Sequence, residues 1–139
     1  FPNNLLRNHK RVVMLPHLGA STGEAEDNCA IMVVDQIRDF LENGNVRNSV
    51  NFPEAAMPRL SKHRLVLANA NVPSMIAKVS EALGQGKINI HDMVNMSRGE
   101  LAYTIFDLDD RVPEEIFQSI ASIAGILMVR MIDSAEEEV

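Results

Sequence analysis

The feature that most constrains this chain is a repeat inside it. Val72-Pro73 followed by Ile76 returns 40 residues later as Val112-Pro113 followed by Ile116. Each copy lies between two β-type runs, 63–70 and 88–96 around the first, 101–108 and 126–132 around the second. The copies themselves read as amphipathic helices over 73–83 and 113–123. Ile76, Val79 and Leu83 share one face of the first, and Ile116, Phe117 and Ile120 share one face of the second. A proline near the first turn suits both, because its missing N–H has no partner there to lose. Ser97-Arg98-Gly99 supplies the turn between the middle strands.

The order β-α-β-β-α-β predicts an α+β domain of the ferredoxin-like kind, a four-stranded antiparallel sheet with both helices on one face. About 70 residues make only a modest core, so the other sheet face and the edges are expected to stay open. The strand over 88–96 belongs at an edge. Its Ile88, Ile90 and Val94 favour pairing with a second copy, which predicts a homodimer.

Residues 1–50 read differently. Arg11-Val12-Val13-Met14-Leu15, stopped by Pro16, suits a strand of a larger sheet. Ser21 and Glu24 have capping-box spacing, and Ala30, Val33, Val34, Ile37, Phe40 and Leu41 then recur with helical period up to a stop at Glu42-Asn43-Gly44. One strand and one helix enclose no core, so this part is expected to be the end of a domain whose body lies elsewhere. A start at Phe1 agrees with a piece of a longer polypeptide. Residues 51–60, bracketed by Pro53 and Pro58, read as an extended linker, 61–133 as the repeat-bearing domain and 134–139 as an acidic tail.

Several functions are disfavoured. With 13 Lys and Arg against 19 Asp and Glu, a net charge of −6, and no basic cluster, nucleic acid is a poor partner. No apolar run approaches the roughly 20 residues that cross a bilayer. Cys29 is the only cysteine, is expected to be a buried structural thiol, and fits a reducing cytoplasm. His9, His17, His63 and His91 lack paired ligand spacing, so no metal is expected. Gly84-Gln85-Gly86 follows a helix and precedes a strand, the reverse of a phosphate loop, and reads as a helix stop. Asp107, Asp109, Asp110, Glu114 and Glu115 read as a solvated acidic patch. His17 stands apart: at a strand end just before a capped helix it occupies a usual place for catalytic groups in α/β enzymes, although a generic loop histidine has the same spacing.

The stretch Leu15-Pro16-His17-Leu18-Gly19-Ala20-Ser21-Thr22, with Glu24-Ala25 and Asn28, resembles the end of the Rossmann-type nucleotide-binding domain in the D-2-hydroxyacid dehydrogenase family. Val50-Asn51-Phe52-Pro53 is similar to the join that precedes the regulatory domain in the phosphoglycerate dehydrogenases of that family, and residues 64–132 resemble an ACT domain, an amino-acid-binding regulatory module. The resemblance implies that His17 is the general acid/base of a parent enzyme that passes hydride to NAD. The orienting glutamate, the substrate arginine and the NAD loop are not among these residues, so the segment is expected to be inactive alone and to need no cofactor. It further implies a regulatory site for L-serine or another amino acid between two ACT domains, at Asn69, Asn71, Val72, Pro73, Ser74 and Asn89. Ser74 replaces a common glycine and Asn69 a common histidine. By residue type alone Asn69 and Asn71 also suit turn and capping roles. An ACT-fold assembly domain with no effector is the alternative.

Overall fold

The structure, a computed structural model, describes Leu6 and residues 9–134. It forms two compact units, one up to Val34 and one from Asp35 onward. Most of the expected acidic tail, residues 135–139, lies outside the described residues. The elements are α1 (Gly23–Asn43), β1 (His63–Ala70), α2 (Met75–Gln85), β2 (Ile90–Arg98), β3 (Leu101–Leu108), α3 (Glu114–Ala121) and β4 (Ile126–Asp133).

In the first unit the run Arg11 to Leu15, expected as a strand, forms none, and Val13 is 84% exposed. A strand persists only where a neighbour completes its hydrogen-bond ladder, and the described residues of this unit supply no such neighbour. The helix begins later than expected. Thr22 Oγ1 accepts from the Ala25 N–H at 3.2 Å, so Thr22 rather than Ser21 is the capping residue. Cys29, expected to be buried, is exposed, as are Ile31, Met32, Val33 and Val34, because no described residue of α1 is buried.

The second unit holds an antiparallel sheet in the order β2-β3-β1-β4, with β2 at an edge as expected. The long β1–β3 register, His63 opposite Leu108 through Ala70 opposite Leu101, makes these the central strands. On one face Leu65, Leu67, Phe106 and Leu108 pack under Val79, Ala82 and Leu83 of α2 and Ile120 of α3. Each of these Leu, Ile, Val and Phe side chains contributes about 1.5 to 3 kcal/mol by leaving water.

Both helices start just beyond their prolines: Ser74 is the N-cap of α2 and Pro113 that of α3. The end of α2 falls where Gly84-Gln85-Gly86 was expected to stop the helix, with Gly86 as the C-cap. Its left-handed residue is Lys87 (φ 58), not a glycine, while Gly86 is small because a Cβ there would come within 3.0 Å of Ile116.

The opposite face, expected to be open, is closed. Val46, Ala55 and Met57 pack against Val66, Ala68, Tyr103, Ile105 and Ile132, with Phe40 and Phe52 alongside. Val46 and Ala55 exchange backbone hydrogen bonds of 2.7 and 3.0 Å, and Arg64 of β1 holds the Met57 and Pro58 carbonyls while Asp107 of β3 accepts from the Leu60 N–H, so much of the stretch 51–60 is fastened to the sheet. With both faces covered, β1 and β3 are buried along nearly their whole length and do not alternate.

The end of α1 is held to the same sheet. Its last carbonyls carry partial negative charge and, apart from the Gly44 N–H bond to Phe40 at 3.0 Å, have no helical partner. The Phe40 carbonyl accepts from Arg130 of β4, Glu42 from Arg59 at 3.0 Å, Asn43 from Arg64 of β1 at 2.8 Å, and Gly44 from the Tyr103 hydroxyl of β3 at 2.8 Å. Gly44 has φ 72, and a Cβ there would lie 2.5 Å from Val66. Only glycine suits that close approach.

Candidate functional site

Where β1 ends, the chain turns through Asn71, Val72, Pro73 and Ser74 into α2. This turn and the sheet end border a half-open cavity of about 130 Å³ lined by Asn69, Asn71, Val72, Ser74, Asn95 and the first turn of α2. The turn is fixed from below, since the Asn71 N–H donates to the Glu100 carbonyl and its Nδ2 to the Gly99 carbonyl at 3.0 Å. Ser74 stands at φ 68, a left-handed conformation that a side chain makes costly, which gives a physical reason why glycine suits this position.

Asn69 is buried. Its Nδ2 donates to the Ala70 carbonyl at 2.8 Å, which sets the orientation of the amide, and its Oδ1 then has no protein partner. A buried acceptor without a donor costs about 1 to 3 kcal/mol, a penalty that a bound donor removes. The first turn of α2 adds the complementary property: no side chain caps it, and the initial N–H groups of a helix lack intrahelical partners. Asn69 and the uncapped first turn of α2 thus line one small pocket, and an acceptor and a donor set of this kind suit a zwitterion.

Among the sequence-predicted residues, Asn69, Asn71, Val72 and Ser74 line this cavity, and Pro73 lies in the same turn. Asn89 does not join them. It precedes β2 and its Nδ2 donates to Asp109 at 2.8 Å, at the other end of β3. Sequence reasoning missed Asn95, whose polar side chain in an edge strand reads as ordinary solvent exposure. Its only signal was position, level with Thr104 on β3. Asp107 was also misread: it is fully buried and paired with Arg64, so it does not belong to the acidic patch.

His17, in the first unit, is exposed in a loop whose Gly19 lies close enough that a Cβ there would come within 3.0 Å of its Nε2. Among the described residues it forms no ion pair with a carboxylate, and no group of three or more His, Cys, Asp or Glu stands together as a metal site. No helix among them is long and apolar enough to cross a membrane.

Strand order, antiparallel register and helix placement define a ferredoxin-like α+β domain. In sequence the chain is a relative of the D-3-phosphoglycerate dehydrogenases, matched to their C-terminal part. It is 27% identical to the D-3-phosphoglycerate dehydrogenase of Escherichia coli over 123 residues, 87% of this chain and 30% of that protein. Against the Dictyostelium discoideum enzyme it is 31% identical over 121 residues, 86% of this chain and 29% of that protein. It thus spans less than a third of the length of these relatives. No family model matches. Among solved structures it is similar to the ACT domain from GTP pyrophosphokinase of Chlorobium tepidum (TM-score 0.44, 8% identity, 50% of this chain and 95% of that one). It is also similar to the regulatory subunit of aspartate kinase from Thermus thermophilus (TM-score 0.42, 16% identity, 58% and 55%).

Proposed function

We propose that this segment is the regulatory, amino-acid-binding and dimerising part of a D-3-phosphoglycerate dehydrogenase, with L-serine as its effector. The observation that carries the reading is the buried Asn69 Oδ1, without a protein partner, beside the uncapped first turn of α2. The amide oxygen receives the ammonium group and the helix start receives the carboxylate. The exposed edge of β2 pairs with its copy across a two-fold axis, and Asn89 of the second chain reaches the pocket from there. In the whole enzyme, which oxidises 3-phosphoglycerate with NAD in the cytoplasm, His17 exchanges the proton of the substrate hydroxyl. These 139 residues contain no dinucleotide loop, so NAD reduction is not expected from them alone.

Calorimetric titration with L-serine tests the site. Asn71→Ala and Asn89→Ala should each weaken binding by about five- to 150-fold, the cost of one lost amide contact. Unchanged affinity in both variants would remove the site. The assembly reading has its own support, because the Asn71 and Asn89 amides already have partners in Gly99 and Asp109. It predicts a dimer by light scattering and no heat with serine at millimolar concentration.

A further inference from the structure

The cavity beside Asn69 has a third polar wall. Thr104, fully buried on β3, donates its hydroxyl to Asn95 Oδ1 at 2.8 Å. This bond engages the oxygen of the exposed Asn95 amide and biases its orientation. Asn95 lines the cavity, and its Nδ2 makes no hydrogen bond among the described residues. The amide nitrogen is therefore a donor oriented by a neighbour at the cavity wall, on a different strand from Asn69.

A zwitterionic amino acid has two ends already matched, the ammonium by Asn69 and the carboxylate by the first turn of α2. What remains is its side chain. We infer that Asn95, positioned by Thr104, reads that side chain and selects one bearing a short oxygen acceptor, such as a hydroxyl, over a methyl group or hydrogen. The inference rests on the reading of this cavity as the effector site. Size agrees with it, since an open cleft of about 130 Å³ suits a compact occupant. Chemistry supplies the selectivity, since a site that hydrogen-bonds a ligand hydroxyl leaves its own polar group unmet when the hydroxyl is missing.

The test compares L-serine with L-alanine by calorimetric titration of the unmutated chain, Asn95→Leu, Thr104→Val and Asn71→Ala. The expected result is a preference for serine of about tenfold or more, from one good hydrogen bond. In Asn95→Leu that preference should fall to about twofold or less. Thr104→Val frees the amide to turn and should erode the preference part of the way. Asn71→Ala should weaken both ligands together and keep their ratio. A serine-to-alanine ratio unchanged in Asn95→Leu overturns the inference while leaving the effector site intact. Absence of binding by either amino acid to the unmutated chain overturns the effector site and this inference with it. Should Asn95→Leu associate through its edge strand, Asn95→Ala removes the same donor and is read in the same way.

Discussion

Arg64 of β1 grips Asp107 of β3 with two hydrogen bonds, Nε to Oδ1 at 2.6 Å and Nη2 to Oδ2 at 2.9 Å, and both side chains are fully buried. The remaining Arg64 donors reach the Asn43, Met57 and Pro58 carbonyls, and the Leu60 N–H meets Asp107 Oδ2, so the pair is satisfied on every side. It ties the two central strands to the segment that covers them.

Removing one partner strands the other in a dry site. Asp107→Asn should therefore lower stability by about 3 to 5 kcal/mol in urea unfolding. The double change Arg64→Met with Asp107→Leu should cost clearly less than the sum of the two single changes, as a double-mutant cycle would show. Additive losses would mean that the pair does not act as a unit.

The same pair sets an acid limit. Burial by itself pushes the Asp107 carboxyl upward, but hydrogen bonds from Arg64 and the Leu60 N–H and the charges of Arg64 and Arg59 outweigh it and hold the pKa below the ordinary 3.8. A carboxylate depressed in the fold contributes stability fully above the unfolded-state value and loses it as pH falls through the folded one. Unfolding free energy should thus decline below about pH 4. Asp107→Asn should flatten that decline.

Tyr103 predicts the alkaline counterpart. Burial raises its pKa to about 12, against the opposing charges of Arg130 and Arg64. The neutral phenol is the folded form, so its contribution is constant below about pH 10 and is lost as pH rises from there toward about 12, a change of roughly 2 to 3 kcal/mol. Tyr103 is the only tyrosine, so phenolate absorbance reports it alone. A midpoint near 10 in the folded protein would contradict the burial of its hydroxyl against Gly44.

Two backbone positions should respond in opposite directions. Ser74→Gly relieves a left-handed residue and should raise stability by up to about 1 kcal/mol, net of the greater freedom of glycine in the unfolded chain. Gly44→Ala drives a methyl into Val66 and Ile132 at φ 72 and should cost about 2 to 4 kcal/mol. Thermal melts of both variants decide these signs.

What was legible in the sequence follows from how local its signals are. The repeat around Pro73 and Pro113, with alternation before and after it, marks strands and helices whose pattern lies within ten residues, and all six of these elements form. The cover on the second sheet face depends on Val46, Ala55 and Met57 meeting residues far along the chain, and isolated apolar residues between prolines carry no period to reveal that. Asp107 was hidden for the same reason, since its partner Arg64 lies 43 positions away. In the cavity, the residues of one turn were legible together, whereas Asn95 enters only through the pairing of β2 with β3. At Arg11 to Leu15 the error ran the other way: composition favours a strand, but a strand exists only with a neighbour.

The four grips on the end of α1 have a mechanical meaning. Arg64, Tyr103 and Arg130 belong to three different strands, and Arg59 bridges the Glu42 carbonyl to that of Ile132 on β4. A pull along the helix is therefore a load shared across the breadth of the sheet. No single strand can be peeled away by it, and the attachment yields only when several grips break together.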